Sequence, residues 1–125
     1  MKLLKKTATT LFLLGIALAQ SGAQETEFIE GFPDVPLVGW VRGIEGEPVV
    51  FDTVAGTVAE VTLLIEGGGF KTMEAYNSTL TSLGWQCELA DRYLRCDRDK
   101  NRLIFFDTDP QKKNGKIILR LEPKE

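Results

Sequence analysis

The hydrophobic positions of one stretch, residues 70–85, recur every three or four residues. Lysine, glutamate and serine lie between them, so the apolar side chains share one side of a helix. Gly84 follows the last of these positions, where a left-handed residue often ends a helix. The pattern predicts an amphipathic helix whose apolar stripe packs on a sheet, and the stripe consists of Phe70, Met73, Tyr76, Leu80 and Leu83.

The segments around this helix have the alternation and the turn residues of β-strands. The predicted strands span residues 48–52, 57–66, 85–90, 92–97, 102–108 and 116–122. The order β-β-α-β-β-β-β predicts an α+β fold, an antiparallel sheet with one helix packed on one face. The residues expected on the covered face are Ala59, Val61, Leu63, Ile65, Trp85, Cys87, Leu89, Leu94, Cys96, Ile117, Leu119 and Leu121.

One predicted strand is apolar on both of its faces, at residues 103–106. Strands of this kind are normally buried on both sides, so we expect it in the centre of the sheet. Its outer face carries Ile104 and Phe106 and needs a cover. That cover is either the N-terminal arm or a second chain.

The N-terminal segment has the parts of a secretory signal peptide. Three lysines precede an apolar run at residues 8–19, which is short for a membrane span. Small residues permit cleavage after Ala19 or Ala23, and the polar stretch before Ala23 favours the second site. An uncleaved anchor helix is the alternative. We predict a signal peptide at 1–23 and a periplasmic or secreted protein with no transmembrane anchor after signal removal.

Residues 24–47 are rich in glycine, proline and glutamate, and they precede a single domain predicted at 48–123. The prolines exclude a regular helix, so we predict an extended arm. The arm has too much apolar surface for a disordered linker. Its Trp40 is either an anchor for a partner or a packing contact with the domain. The predicted partner contacts are Trp40, Phe32, Ile104 and Phe106.

Charge and composition exclude several classes of function. The whole chain has a formal charge of −3, and loss of a signal peptide with three lysines and no acid lowers this to about −6. An acidic chain does not attract phosphate backbones, which argues against a nucleic-acid partner. The chain has no histidine, which removes Ser-His and Cys-His nucleophilic sites and histidine-ligated zinc. We predict no cofactor, no metal site and no catalytic residue.

Cys87 and Cys96 are the two cysteines of a chain predicted to enter an oxidising compartment. If the flanking segments pair around a two-residue turn at 91–92, the cysteines face each other without a hydrogen bond between them. Their Cα atoms then lie about 4.5 Å apart, which suits a disulfide. Two reduced buried thiols, or a redox-active pair, are the alternatives. The spacing is not C-x-x-C, which disfavours the redox-active pair.

Several short motifs together resemble a group of small exported proteobacterial proteins of unknown function. The motifs are DVPLVG at 34–39, VVFDTVAGTV at 49–58, the helix residues Tyr76, Leu80 and Leu83-Gly84-Trp85, and RLEP at 120–123. The resemblance implies a proline-containing leader, a V-F-D hairpin, a helix ending in Leu-Gly-Trp and a short antiparallel meander. It covers about Asp34 to Pro123, and it implies a fold and export but no activity.

Three short motifs imitate functional sites without completing them. The run GGGFKT at 67–72 lacks the glycine before lysine that a phosphate loop needs. The D-x-D-x-N run from Asp97 begins like a calcium loop, but Arg102 replaces the next glycine and no glutamate closes it. Asp107 and Asp109 place two carboxylates on one strand face, close to three lysines that neutralise them.

Three functions are left open by the sequence. We favour a non-enzymatic accessory module that binds an unknown envelope protein or associates with itself. The alternative is a carboxylate-based or metal-assisted hydrolase of cell-envelope material, which needs Asp107 and Asp109 to converge with Asp97 or Asp99. A small-ligand carrier is the third hypothesis, and it needs a cavity between helix and sheet.

Overall fold

The computed structural model of the protein describes residues 27–124. One antiparallel six-stranded sheet carries a single helix on one face, which confirms the predicted α+β fold. The predicted signal peptide, with its cleavage site after Ala23, lies outside the described residues. The elements are β1 (Val41–Thr53), β2 (Gly56–Ile65), α1 (Gly69–Ser82), β3 (Gln86–Leu89), β4 (Tyr93–Arg98), β5 (Asn101–Asp107) and β6 (Lys116–Pro123).

The sheet has the strand order β1-β2-β6-β5-β4-β3. The strand that is apolar on both faces is β5, and it lies in the middle of the sheet as predicted. Its neighbours β4 and β6 pair with it over most of its length. The first strand differs from the prediction, because residues 41–47 belong to β1 although their glycines and glutamates suggested an arm. A register shift between Glu45 and Val49 accommodates Gly46 and Pro48 within the strand.

The helix buries a narrower stripe than its periodicity predicts. Met73, Tyr76 and Leu80 are fully buried against the sheet, but Phe70 and Leu83 are partly exposed, so the prediction for these two residues is wrong. Leu83 is the C-cap, and its backbone has already left the helical conformation. In the first turn, the small residues Gly69 and Thr72 are buried while the Phe70 side chain points away from the core. Gly84 has φ +95° and ends the helix as predicted.

The described part of the arm, residues 27–40, packs on the same face of the sheet as the helix. It folds back on itself, with Ile29 N–H donating to the Val35 carbonyl at 2.8 Å. Ile29, Phe32 and Val35 are buried in the core. The Tyr76 hydroxyl donates to the Pro36 carbonyl at 2.7 Å, which joins the arm to the helix. Burial raises the pKa of this hydroxyl well above its ordinary value, although the Val38 backbone acts in the opposite direction.

The core therefore lies between the sheet on one side and α1 with the arm on the other. The helix contacts β3, β4 and β5, while Gly31 of the arm lies against Val50 of β1. Within residues 27–124, no helix is long and apolar enough to cross a membrane. The residues of the inner face that are buried as expected are Ala59, Val61, Leu63, Ile65, Trp85, Leu94, Cys96, Ile117, Leu119 and Leu121, with Cys87 and Leu89 partly buried.

Candidate binding surface

The outer face of the sheet, opposite the helix, carries an uncovered apolar patch. Phe106 of β5 pairs with Ile118 of β6 on one side and with Tyr93 of β4 on the other. Ile104 lies two residues from Phe106 on the same face of β5. We call Tyr93, Ile104, Phe106 and Ile118 the central patch. Phe106 is 42% exposed, so no described segment of the chain covers it.

The central patch forms one wall of a shallow depression of about 300 Å³. Its lining combines Ile104, Phe106 and Ile118 with the charged side chains of Glu60 and Arg120. This volume is at the small end of the range for ligand pockets, and the depression is open rather than enclosed. Its shape suits a protruding apolar side chain of a partner better than an enclosed small molecule.

Ion pairs surround the central patch. Arg120 contacts Glu60 at 3.2 Å on the β2 side, and Arg95 contacts Glu88 at 3.1 Å on the β3 side. Both pairs are substantially exposed, so each adds little to stability. They instead give the apolar surface a polar rim of both signs, the usual arrangement of a protein–protein interface.

A third ion pair, Arg102 with Asp97, is less exposed than these two. The guanidinium donates from Nε at 2.8 Å and from Nη2 at 3.4 Å to the two carboxylate oxygens. This hydrogen bonding lowers the pKa of Asp97 below its ordinary value, and burial opposes it. The same pair raises the pKa of Arg102, so both groups are charged at neutral pH.

Arg92 lies over the ring of Phe106, with its guanidinium carbon 5.3 Å from the ring centroid. The side chain is anchored by a hydrogen bond from Nη2 to the Asp107 carbonyl at 3.4 Å. A cation above an aromatic face is attracted by the ring electrons. Arg92 thus holds a positive charge beside the Phe106 ring, and the rest of the ring surface is exposed to a partner.

A second apolar surface lies at the β1 edge of the same face. Val49 and Phe51 of β1 and Val58 of β2 form what we call the edge patch, and Phe51 pairs directly with Val58. A shallow depression of about 240 Å³ is lined by these residues together with Glu60 and Arg120. The Arg120–Glu60 pair therefore separates the edge patch from the central patch.

The structure brings together only two of the four predicted partner contacts. Ile104 and Phe106 share the central patch. Phe32 is 6% exposed and belongs to the core, so the prediction that it contacts a partner is not supported by its position. Trp40 is half exposed just before β1, and two strands, β2 and β6, lie between β1 and β5. Trp40 therefore does not extend the central patch.

The predicted disulfide between Cys87 and Cys96 is present. The two residues are directly opposed in the β3–β4 pair, with Cα atoms 4.1 Å apart. Cys96 is fully buried and Cys87 partly buried on the inner face. The bond therefore ties the edge strand β3 to the core, which fits a structural role.

The carboxylates of the hydrolase hypothesis do not converge. Asp97 pairs with Arg102 at the start of β5, while Asp107 lies at the end of that strand, roughly 17 Å further along. Asp107 is buried on the inner face, Asp97 belongs to the outer face, and Asp99 and Asp109 are exposed in turns. Among the described residues, no three histidine, cysteine or carboxylate side chains are close enough to hold a metal ion.

The environment of Asp107 differs from the one expected from the sequence, which placed its carboxylate close to three lysines. Its carboxylate lies against Gly69 at the start of α1, where a Cβ at position 69 would overlap it. An anion is favoured beside a helix N-terminus because the backbone dipoles point their positive ends there. The alternation of β5 contained the signal, because Asp107 follows the inward residues Leu103 and Phe105 at the same spacing.

The small-ligand carrier needs a space between helix and sheet that the structure fills with side chains. The rings of Tyr76 and Phe105 are 4.5 Å apart, and both residues are fully buried.

Comparison with protein-family models, curated proteins and solved structures finds no match to this chain. The suggested kinship with small exported proteobacterial proteins therefore rests on the sequence motifs alone.

Proposed function

We propose that this chain is a small exported, non-enzymatic binding module that uses the outer face of its sheet to bind an envelope protein or a second copy of itself. The observation that carries the proposal is the central patch. Four apolar or aromatic side chains share an open surface, and a polar rim surrounds them. Surfaces of this composition are typical of interaction sites.

Two further features support the proposal. The disulfide suits an oxidising compartment such as the periplasm, which the predicted signal peptide also implies. The inner face is fully occupied by α1 and the arm, so the outer face is the larger apolar surface left for a partner. The hydrolase alternative has no comparable support, because its carboxylates are dispersed.

Export can be tested directly by mass measurement of protein recovered from the periplasm of an expressing bacterium. We expect a mature chain that begins at Gln24 and contains an intact disulfide. A full-length chain in the membrane fraction would contradict the proposal and favour the uncleaved anchor helix.

Binding through the central patch can be tested with the variant Phe106→Glu. The matched control is Val54→Glu, which adds the same charge at a fully exposed hairpin tip outside both patches. We expect the wild type and the control to bind an apolar fluorescent dye. Used as immobilised bait, both should retain the same envelope proteins. Phe106→Glu should lose both properties with an unchanged unfolding midpoint. Equal dye binding and equal retention by the two variants would contradict the proposal.

A further inference from the structure

The two edges of the sheet differ in how they are protected. The β3 edge has four residues and is held by the disulfide. The β1 edge is longer, and its first part is interrupted by the register shift, Pro48 and two glutamates. Such features keep natural sheet edges from pairing with other strands. The last part, residues 49–53, pairs regularly with β2, has no proline, and carries Asp52 as its one charged residue.

Three consecutive residues of this segment are apolar and accessible. Val49, Val50 and Phe51 are 55%, 46% and 56% exposed. Gly31 of the described arm lies against Val50 on the inner face of β1. An exposed edge of this composition is a template for an additional strand.

The direction of the backbone groups follows from the hydrogen bonds of β2. Ile65 donates to the Gly115 carbonyl on the β6 side at 3.1 Å, and Glu66 donates to the Trp40 carbonyl on the β1 side at 2.9 Å. Because antiparallel bonds alternate, the even-numbered residues of β2 bond to β1. Their partners in β1 include Val49 and Phe51.

The remaining residues, Val50 and Asp52, therefore direct their N–H and C=O groups away from β2, toward the free edge. No turn, loop or cap in the described chain forms a backbone hydrogen bond with these two residues. Two donors and two acceptors are thus aligned on one side of a regular strand. They are the groups that an added strand would bond.

We infer that the β1 edge pairs with the same edge of a second copy, antiparallel, about a two-fold axis at Phe51. This inference rests on the proposed function and deepens it by naming the occupant and the register. In that register the segment 49–53 is fully paired with itself. Val50 lies opposite Asp52 of the second copy, Val49 lies opposite Thr53 of the second copy, and the two Phe51 residues face each other.

This register is self-complementary. Val50 exchanges two backbone hydrogen bonds with Asp52 of the second copy, and Asp52 exchanges two with Val50 of the second copy. All four outward N–H groups of the dimer are therefore used. No carboxylate lies opposite another carboxylate, whereas an axis at residue 52 would oppose two aspartates. An axis at Val50 would place Asp52 opposite Pro48, which has no N–H to donate.

Pairing in this way also joins the two edge patches. The axis is perpendicular to the sheet, so the outer faces of both copies lie on the same side. The two Phe51 rings then meet as a close pair without hydrogen bonds between their backbones, the position where cross-strand aromatic contacts are strongest. Five residues from each chain bury little area, so we expect association in the micromolar range or weaker.

The register predicts that one specific disulfide crosslink can join the two copies. In the variant Phe51→Cys, the two new thiols face each other with Cα atoms about 4.5 Å apart, within reach of a disulfide. The matched control is Val49→Cys, which has the same exposure and the same face but lies opposite Thr53 of the second copy. Under mild oxidation we expect Phe51→Cys to form a disulfide-linked dimer at least tenfold faster than Val49→Cys. Equal rates would overturn the inference.

A second pair of variants tests the hydrogen bonds. Val50→Pro removes an outward N–H, and proline is tolerated at such edge positions because the bonds to β2 are untouched. Val54→Pro is the control, in the adjacent turn. In sedimentation equilibrium, we expect the wild type and Val54→Pro to show a reversible monomer–dimer equilibrium that Val50→Pro weakens at least fivefold. A wild type that stays monomeric at millimolar concentration would overturn the inference.

The variant Phe106→Glu separates this inference from the proposed function. It should leave the β1-mediated dimer intact, because Phe106 lies on β5, and strands β2 and β6 separate β5 from the β1 edge. If Phe51→Cys and Val49→Cys crosslink equally while Phe106→Glu still abolishes dye binding, the edge pairing fails and the binding module stands. If Phe51→Cys crosslinks selectively but Phe106→Glu changes nothing, the edge pairing stands and the central patch fails.

Discussion

Phe105 and Phe106 are consecutive residues of the same strand in opposite environments. Phe105 is 0% exposed beneath the helix, and its ring lies 4.5 Å from that of Tyr76. Phe106 is 42% exposed on the outer face, with Arg92 above its ring. The two residues have the same type and lie in the same strand. The difference in their exposure therefore comes only from what covers each side of the sheet.

The inner face and the outer face of the sheet therefore carry similar residues that have different roles. The inner face is closed by α1 and the arm, and its aromatic groups stabilise the fold. The outer face is open within the described chain, and its apolar groups are free for a partner. Substitutions on the two faces should separate effects on the free energy of unfolding from effects on binding.

The largest expected effect comes from Phe105→Ala. Loss of a fully buried aromatic side chain should lower the free energy of unfolding by about 3–5 kcal/mol, because a cavity remains in the packed core. Phe106→Ala is the matched control on the other face and should cost less than about 1 kcal/mol. Urea unfolding followed by tryptophan fluorescence measures both. Equal losses in the two variants would contradict the assignment of the faces.

Removal of the disulfide should have the next largest effect. The double variant Cys87→Ala/Cys96→Ala should lose about 2–3 kcal/mol, because the short crosslinked loop no longer restricts the unfolded chain. The loss falls on the inner face, so dye binding by the central patch should persist in the folded variant. Reduction of the wild type should reproduce the same shift in the unfolding midpoint. An unchanged midpoint after both treatments would show that the crosslink does not stabilise the core.

The contact between helix and sheet at Gly69 should be sensitive to a single methyl group. Gly69→Ala places a Cβ where the Asp107 carboxylate lies, and we expect a loss of about 1–3 kcal/mol. The loss should shrink in an Asp107→Ala background, because the smaller side chain leaves room. A double-mutant cycle measures this coupling. Additive effects would show that the carboxylate is not the obstacle.

The smallest effect concerns the outer-face ion pair of Asp97 and Arg102. The pKa of Asp97 is lowered in the folded state by its hydrogen bonds to Arg102. Its contribution to stability is therefore present above the ordinary aspartate pKa of about 3.9 and is lost as the pH falls through the lower folded value. Asp97→Asn should reduce stability at neutral pH and flatten the acid part of the profile. Asp99→Asn, an exposed turn variant that removes the same charge, should leave both unchanged.

Periodicity and turn residues predicted much of the fold, for local reasons. Alternation placed Leu63 and Ile65 on the inner face, and the spacing around a two-residue turn placed Cys87 opposite Cys96. These inferences work because side-chain direction alternates along a strand and register follows from the turn. The same alternation places Asp107 on the inner face with Phe105, whereas its charge suggested that it lies close to lysines.

The tertiary structure decided which apolar residues are covered. Phe32 and Trp40 are both arm aromatics, yet the fold buries the first and leaves the second half exposed. Sequence alone determined that residues 27–124 form an α+β fold in which a helix packs on a sheet, a crosslink joins two strands and another strand is apolar on both faces. Only the packing of the arm beside α1 determined that no segment within residues 27–124 covers the outer face of that strand, because burial depends on contacts between residues far apart in the chain.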